Sequence, residues 1–105
     1  MSIDFKFRNI ESSDAMKTHT VEKLGKLQKF LSGPLDAQVI FSHERHLFGI
    51  DVHLHDGADH YQVREEQEDM YAAIDLVVDK LSRQLTKVKD QHHNHRRGPQ
   101  PEDSE

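Results

Sequence analysis

The chain has 105 residues, of which 34% are hydrophobic, and a formal net charge of −5; this length suits one domain with a single core. It contains no cysteine, which excludes disulfide bonds, thiolate metal sites and a catalytic thiol. No apolar run approaches the ~20 residues that a membrane-spanning helix needs, and the first residues lack the apolar core of a signal peptide. We therefore expect a cytoplasmic protein with no membrane contact.

The first third of the chain predicts a strand and a capped helix. Residues 2–8 alternate polar and apolar side chains, which is typical of a half-buried strand. Ser12 or Ser13 can cap the following helix, which should continue to Ser32 and end at Gly33-Pro34. The inward-facing residues of this helix recur at helical spacing: Met16, Thr20, Leu24, Leu27 and Leu31.

The middle of the chain predicts three more strands. Apolar and polar residues alternate over 37–42, 50–55 and 60–64, which is the period of a strand with one buried face. Residues 43–46 should form a polar connection between the first two of these strands. Asp56-Gly57 is a strong hairpin-turn signal between the last two.

A long amphipathic helix is predicted over 69–89. Its apolar residues form one continuous stripe: Met70, Ile74, Val77, Val78, Leu81, Leu85 and Val88. Acidic residues precede this helix and cations crowd its second half, as the helix dipole favours. Residues 91–105 contain no apolar residue, so we expect a disordered tail after a domain that spans 1–90.

These elements occur in the order β-α-β-β-β-α. The connection through a helix should place the first two strands parallel, and the later strands should form an antiparallel meander. Each strand has one apolar face and each helix one apolar stripe, so we expect both helices to pack on one face of a four-stranded sheet. The predicted fold is therefore an α/β protein, an α+β two-layer sandwich, and by analogy it resembles a double-stranded RNA-binding domain.

Charge is segregated along the chain despite the acidic total. Residues 51–69 carry seven acidic residues against one arginine, whereas residues 70–97 carry six lysines and arginines against three aspartates. Helices packed side by side would place two sets of cations on one surface, which suits contacts to phosphates. The sets are Lys23, Lys26 and Lys29 in the first helix, and Lys80, Arg83, Lys87 and Lys89 in the second. Solvated helix faces also carry cations, so charge alone leaves polyanion binding open.

Neither catalysis nor a metal site is predicted. The sequence has no nucleophile elbow, no Walker-type loop and no His-Glu-x-x-His pair, so no cofactor or small-molecule substrate is expected. Nine histidines keep one alternative open, a protein-interaction or metal-responsive module on an acidic, histidine-rich sheet face. That alternative requires His53, His55 and His60 to converge.

The last helix carries a specific resemblance to a known family. Residues 65–75 read EEQEDMYAAID and residues 79–89 read DKLSRQLTKVK. This acidic lead-in, the DMYAAID motif and the trailing cations closely resemble the ribosome hibernation-promoting factor family, which includes the ribosome-associated inhibitor A proteins. The β-α-β-β-β-α order is also the fold that this resemblance implies.

The resemblance implies a non-enzymatic protein that binds the small ribosomal subunit and its rRNA. Such a protein occupies the mRNA and tRNA channel and blocks translation by occupancy under stress or in stationary phase. The rRNA-binding residues that it implies here are Lys23, Lys26, Lys29, Lys80, Arg83 and Lys87, with Lys89, Arg8 and Arg64 as further candidates.

The chain ends before the C-terminal dimerisation domain of the family's long form, so we expect a short-form member. Off the ribosome it should be a monomer, and its effect on ribosome dimers is left open. The acidic stretch at 51–69 must face away from rRNA for this interpretation to hold.

Overall fold

The computed structural model describes the backbone of residues 2–94 and the side chains of residues 2–87. The elements in chain order are β1 (Ser2–Arg8), α1 (Asp14–Gly25), a 3-10 helix (Lys26–Phe30), β2 (Asp36–Glu44), β3 (Leu47–Asp56), β4 (Asp59–Gln67) and α2 (Met70–Asn94). This confirms the predicted order of strands and helices. Within the described residues, no helix has the length and apolar character needed to cross a membrane.

The four strands form one sheet in the order β1-β2-β3-β4. β1 pairs parallel with β2, whereas β2 with β3 and β3 with β4 are antiparallel, as predicted. The register aligns inward-facing residues across the sheet: Phe5 lies opposite Val39, Val39 opposite Val52, and Val52 opposite Val63. Alternation along each strand therefore gives the whole sheet one apolar face.

Both helices cover that apolar face. A single cluster of buried residues joins β2, β3 and β4 to the inner sides of α1 and α2, which confirms the two-layer architecture. Burial of each large apolar side chain contributes about 1.5–3 kcal/mol. The other side of the sheet carries no helix of the described residues, and we call it the open face.

The first helix begins as predicted and ends differently. Ser13 is its N-cap, and the side-chain oxygen accepts a hydrogen bond from the backbone N–H of Met16 at 3.2 Å. The α-helix ends at Gly25 and tightens into the 3-10 helix, whereas one helix was predicted up to Ser32. Glycine is a poor helix former, and 3-10 turns are frequent at the ends of α-helices.

The loop after the 3-10 helix is held by Gln28. Its side-chain amide donates to the carbonyl of Gly33 at 2.6 Å, and its side-chain oxygen accepts from the N–H of Leu35 at 2.7 Å. These two bonds satisfy backbone groups of the loop itself, the carbonyl of Gly33 and the N–H of Leu35. They also fix the position of the 3-10 helix relative to β2.

Two turns connect the last three strands. The predicted turn after Asp56 is confirmed, with Gly57 at φ 63, a left-handed conformation that glycine adopts without steric cost. The predicted polar connection over 43–46 is shorter than expected, because β2 continues through Glu44. The chain reverses at Arg45, whose φ of 58 is also left-handed.

The second helix continues to Asn94, beyond the predicted end at Lys89. Neither glycine nor proline occurs over residues 70–97, so the sequence contains no stop signal in this stretch. Four residues of the predicted tail are thus helical. Residues 95–105 lie outside the described residues, and their disorder stays a prediction.

Candidate nucleic-acid interface

Three lysines line one side of a groove on the helical face of the protein. Lys23 belongs to α1, and Lys26 and Lys29 belong to the 3-10 helix; we call these three residues the lysine edge. Lys26 and Lys29 are exposed, and among the described side chains neither forms an ion pair. Residues three apart in a 3-10 helix are eclipsed, so these two ammonium groups point to the same side.

The opposite side of this groove is acidic. Asp75 and Asp79 of α2 line it, and we call these two residues the acidic seam. The carboxylate of Asp75 accepts a hydrogen bond from Nε2 of His19 at 2.9 Å and lies 4.0 Å from Nζ of Lys23. The sequence interpretation missed this seam, although Asp75 and Asp79 are four residues apart and therefore share one side of a helix.

The cations of α2 lie at different angles around that helix. A helix turns about 100° per residue, so Lys80 is about 140° around α2 from Asp75. Lys80 accordingly forms an ion pair with Glu65 of β4, and Arg83 pairs with Asp79 at 3.0 Å. The structure therefore corrects the expectation of one continuous basic surface. The acidic seam lies beside the lysine edge, Lys80 is turned away toward Glu65, and Arg83 continues the row of the seam and is paired with Asp79.

The remaining predicted cations are placed elsewhere. Arg8 and Arg64 line a small pocket on the open face, on the side of the sheet opposite the helices, and Arg64 forms an ion pair with Glu66 at 3.1 Å. The structure does not bring them together with the lysine edge. The side chain of Lys89 lies outside the described residues.

The acidic stretch at 51–69 is divided between the two sides of the sheet. Asp51 and Glu66 lie on the open face beside Arg64 and Gly49, to which the strand register pairs them. Glu65 faces the helices, where it pairs with Lys80. That this stretch faces away from rRNA stays a prediction.

Three histidines converge on the open face, as the alternative interpretation requires. Nδ1 of His53 lies 3.2 Å from Nε2 of His60, and the rings of His55 and His60 stack with centroids 4.7 Å apart. Among the described residues there is no group of three histidine, cysteine or acidic side chains arranged to hold a metal ion.

Comparison with known proteins identifies the class to which this chain belongs. The family model described as "Sigma 54 modulation protein / S30EA ribosomal protein" matches residues 3–93. Because this match covers most of the chain, the protein belongs to that family. The family resemblance in residues 65–89 is confirmed.

Individual relatives share about a third of their residues with this chain. A ribosome hibernation promoting factor of Azotobacter vinelandii is 34% identical over 104 residues, which cover 99% of this chain and 97% of that protein. The ribosome hibernation promoting factor of Escherichia coli (strain K12) is 33% identical over 95 residues, or 90% of this chain and 100% of that protein. The ribosome hibernation promotion factor of Bacillus subtilis is 33% identical, and the match covers 85% of this chain but 49% of that longer protein.

Solved structures show the same fold. The N-terminal domain of Thermus thermophilus Protein Y superposes with a TM-score of 0.77 at 30% identity, and the match covers 84% of this chain and 99% of that one. A ribosomal subunit interface protein from Coxiella burnetii superposes with a TM-score of 0.74 at 24% identity, with coverage of 85% and 98%. The second likeness concerns the fold alone.

Proposed function

We propose that this protein binds the small ribosomal subunit through its helical face and inhibits translation by occupying the mRNA and tRNA channel. Membership of the family and the names of the relatives, which are ribosome hibernation promoting factors, support a ribosomal role. The structural observation that carries the proposal is the lysine edge, where two exposed ammonium groups point outward from one 3-10 helix.

The lysine edge suits the phosphate backbone of rRNA. Lys26 and Lys29 are separated by one turn, about 6 Å along the axis of a 3-10 helix, which is on the scale of neighbouring phosphates in one strand. Lysine contacts of this kind position a protein without reading sequence. Each phosphate that is neutralised releases counterions, so affinity should fall steeply as salt rises.

The cations of α2 form a second, separate contact in this proposal. Arg83 and Lys87 are exposed, while Lys80 is engaged by Glu65 within the fold. We rank their contribution below that of the lysine edge, because Arg83 must leave Asp79 before it contacts a phosphate. Arg8 and Arg64 contact rRNA only if the ribosome also reaches the open face.

A protein held in this way would keep idle ribosomes out of translation under stress or in stationary phase. Inhibition requires no chemical step, since a body that fills the channel excludes mRNA and tRNA. We therefore infer a binding protein rather than an enzyme.

The test is co-sedimentation with purified small subunits through a sucrose gradient at low and raised salt. The variant Lys23→Glu/Lys26→Glu/Lys29→Glu reverses the lysine edge and should remain at the top, because it repels phosphates. Wild type should travel with the subunit at low salt and dissociate as salt rises.

The matched control is Lys6→Glu/Arg8→Glu/Arg64→Glu, which changes the net charge by the same amount on the open face. It should co-sediment like wild type. Equal loss of binding in both variants would show that total charge, not the helical face, determines the interaction. Failure of wild type to leave the top fractions would refute the proposal itself.

A further inference from the structure

We propose that the outer edge of β1 pairs with the same edge of a second copy of this chain, which joins the two sheets into one. β1 is the terminal strand of the sheet, so within the described residues no strand pairs with its outer side. The N–H of Ser2 donates to the carbonyl of Leu35 at 2.8 Å, which directs the backbone groups of Ser2 toward β2. Because this direction alternates along a strand, Ile3, Phe5 and Phe7 direct their N–H and C=O groups outward.

The helices leave the apolar side of β1 incompletely covered. Phe7 lies opposite Phe41 of β2, and Phe41 is fully buried, whereas Ile3, Phe5 and Phe7 are only half-buried. Nζ of Lys17 lies 5.9 and 5.7 Å from the ring centroids of Phe5 and Phe7. A lysine can lie along apolar surface while its ammonium group stays in water. A second strand beside β1 would therefore bury the rest of this apolar row, which stabilises the pairing.

The opposite edge of the sheet is protected against such pairing. β4 is the other terminal strand, and it directs Glu65 toward the helical side, where the carboxylate pairs with Lys80. An inward-pointing charge is one of the devices that keep edge strands from associating. β1 has no charged residue on its helical side and contains no proline. The two edges therefore differ, and β1 is the one that can accept a further strand.

The charges of β1 select one antiparallel register for two copies. With Phe5 opposite Phe5 of the second copy, Ile3 lies opposite Phe7 on the helical side and Asp4 opposite Lys6 on the open face. Opposite charges at facing positions attract, and like charges repel. A shift by two residues in either direction would place Asp4 opposite Asp4, or Lys6 opposite Lys6. A shift by one residue would set outward-directed backbone groups against groups that point the other way.

In the selected register the outward backbone groups of both copies meet. Facing residues of this kind exchange two hydrogen bonds, so the Phe5 pair and the two pairs of Ile3 with Phe7 would form about six. The two-fold axis at Phe5 is perpendicular to the sheet and keeps the helices of both copies on one side. Because each copy uses the same edge, the assembly closes as a dimer. It would replace the monomer expected from the sequence, and it does not depend on the function proposed above.

The proposal is tested by sedimentation velocity of the full chain without ribosomes. A contact made by one strand of seven residues is small, so we expect a dissociation constant of about 10 µM, with wild type mostly dimeric at about 100 µM and mostly monomeric at about 1 µM. Asp4→Lys and Lys6→Asp each place like charges at both facing positions and should be monomeric at either concentration. An equimolar mixture of these two variants should restore the dimer, because each chain then carries the charges that complement the other.

Glu66→Lys is the matched control, because it makes the same change in charge as Asp4→Lys on the other edge strand, β4. It should dimerise like wild type, and circular dichroism should show that all variants stay folded. A wild type that is monomeric at about 100 µM, well above the expected dissociation constant, would overturn the proposal. A dimer that persists in both charge variants, or a mixture of them that stays monomeric, would overturn the pairing through β1. Equal loss of the dimer in Glu66→Lys would attribute association to total charge and overturn it as well.

Discussion

The helical face, which the two helices cover, and the open face belong to the same four strands. The two faces present different functional groups to solvent. On β3 a step of one residue leads from Leu54, which is fully buried beneath the helices, to His55, which lies on the open face. The helical face presents flexible ammonium groups on a 3-10 helix, whereas the open face presents imidazoles and carboxylates held in register by two strands. Loose cations suit a polyanion of extended shape, whereas the imidazoles of the open face contact one another.

The sharpest test of this division compares neighbouring residues of β3. Leu54→Ala should lower the free energy of unfolding by about 2–5 kcal/mol, because it removes buried methyl groups and leaves a cavity. His55→Ala should change it by no more than about 0.5 kcal/mol, as is usual for surface substitutions. Urea denaturation followed by circular dichroism measures both.

Similar losses for the two variants would mean that the open face is also packed, and the division between the faces would fail. The alternation that underlies this prediction was readable from the sequence. Apolar residues at every second position of four segments predicted which side of each strand is buried, because the side-chain period of a strand is fixed at two.

The rotation of each helix about its own axis could not be predicted from the sequence in this way. The apolar stripe of α2 spans Met70, Ile74 and Val78, which is wide enough to accept several orientations against α1. The structure turns Asp75 toward α1, where His19 donates a hydrogen bond to it. Carboxylates therefore lie beside the lysine edge, where the sequence interpretation expected the cations of α2.

The local motifs were the more reliable guide to the family. Residues 65–75 and 79–89 predicted it, while the placement of Arg8 and Arg64 required the three-dimensional sheet. The convergence of His53 with His60 also depends on strand register, which a hairpin-turn signal at Asp56 restricts but does not fix alone.

Neutralising the acidic seam should strengthen the helical face. In Asp75→Asn/Asp79→Asn, the side chains of Lys23 and Arg83 lose their carboxylate partners and become available to phosphates. Affinity for small subunits should rise about two- to fivefold, the scale of exposed ion pairs. The dependence of log affinity on log salt should also steepen by about 0.7–0.9 for each additional phosphate that the protein neutralises.

The matched control for the seam is Asp4→Asn/Asp36→Asn, which removes the same charge from exposed positions of β1 and β2. Binding assays over a series of salt concentrations should leave its slope like that of wild type. An equal rise in affinity for both variants would indicate a general electrostatic effect and would remove the special role of the seam.

The smallest expected effect concerns Tyr61, which packs against the core near the hairpin that joins β3 and β4. Burial raises the pKa of Tyr61 above its ordinary value of 10.0, and the carboxylates of Asp59 and Asp56 raise it further. The folded state thus holds this phenolic proton more tightly than the unfolded state does. The resulting contribution to the free energy of unfolding is fully present below a pH of 10.0 and is lost as pH rises through the raised pKa.

Urea denaturation at a series of pH values should therefore show a steeper loss of stability above this pH in wild type than in Tyr61→Phe, which has no phenolic proton. Asp59→Asn should lie between the two, because it removes one of the two carboxylates but leaves the burial of the ring unchanged. Identical slopes for wild type and Tyr61→Phe would show that the hydroxyl of Tyr61 is as well solvated in the folded protein as in the unfolded chain. The side of β4 that packs against α2 would then be more hydrated at Tyr61 than at Val63.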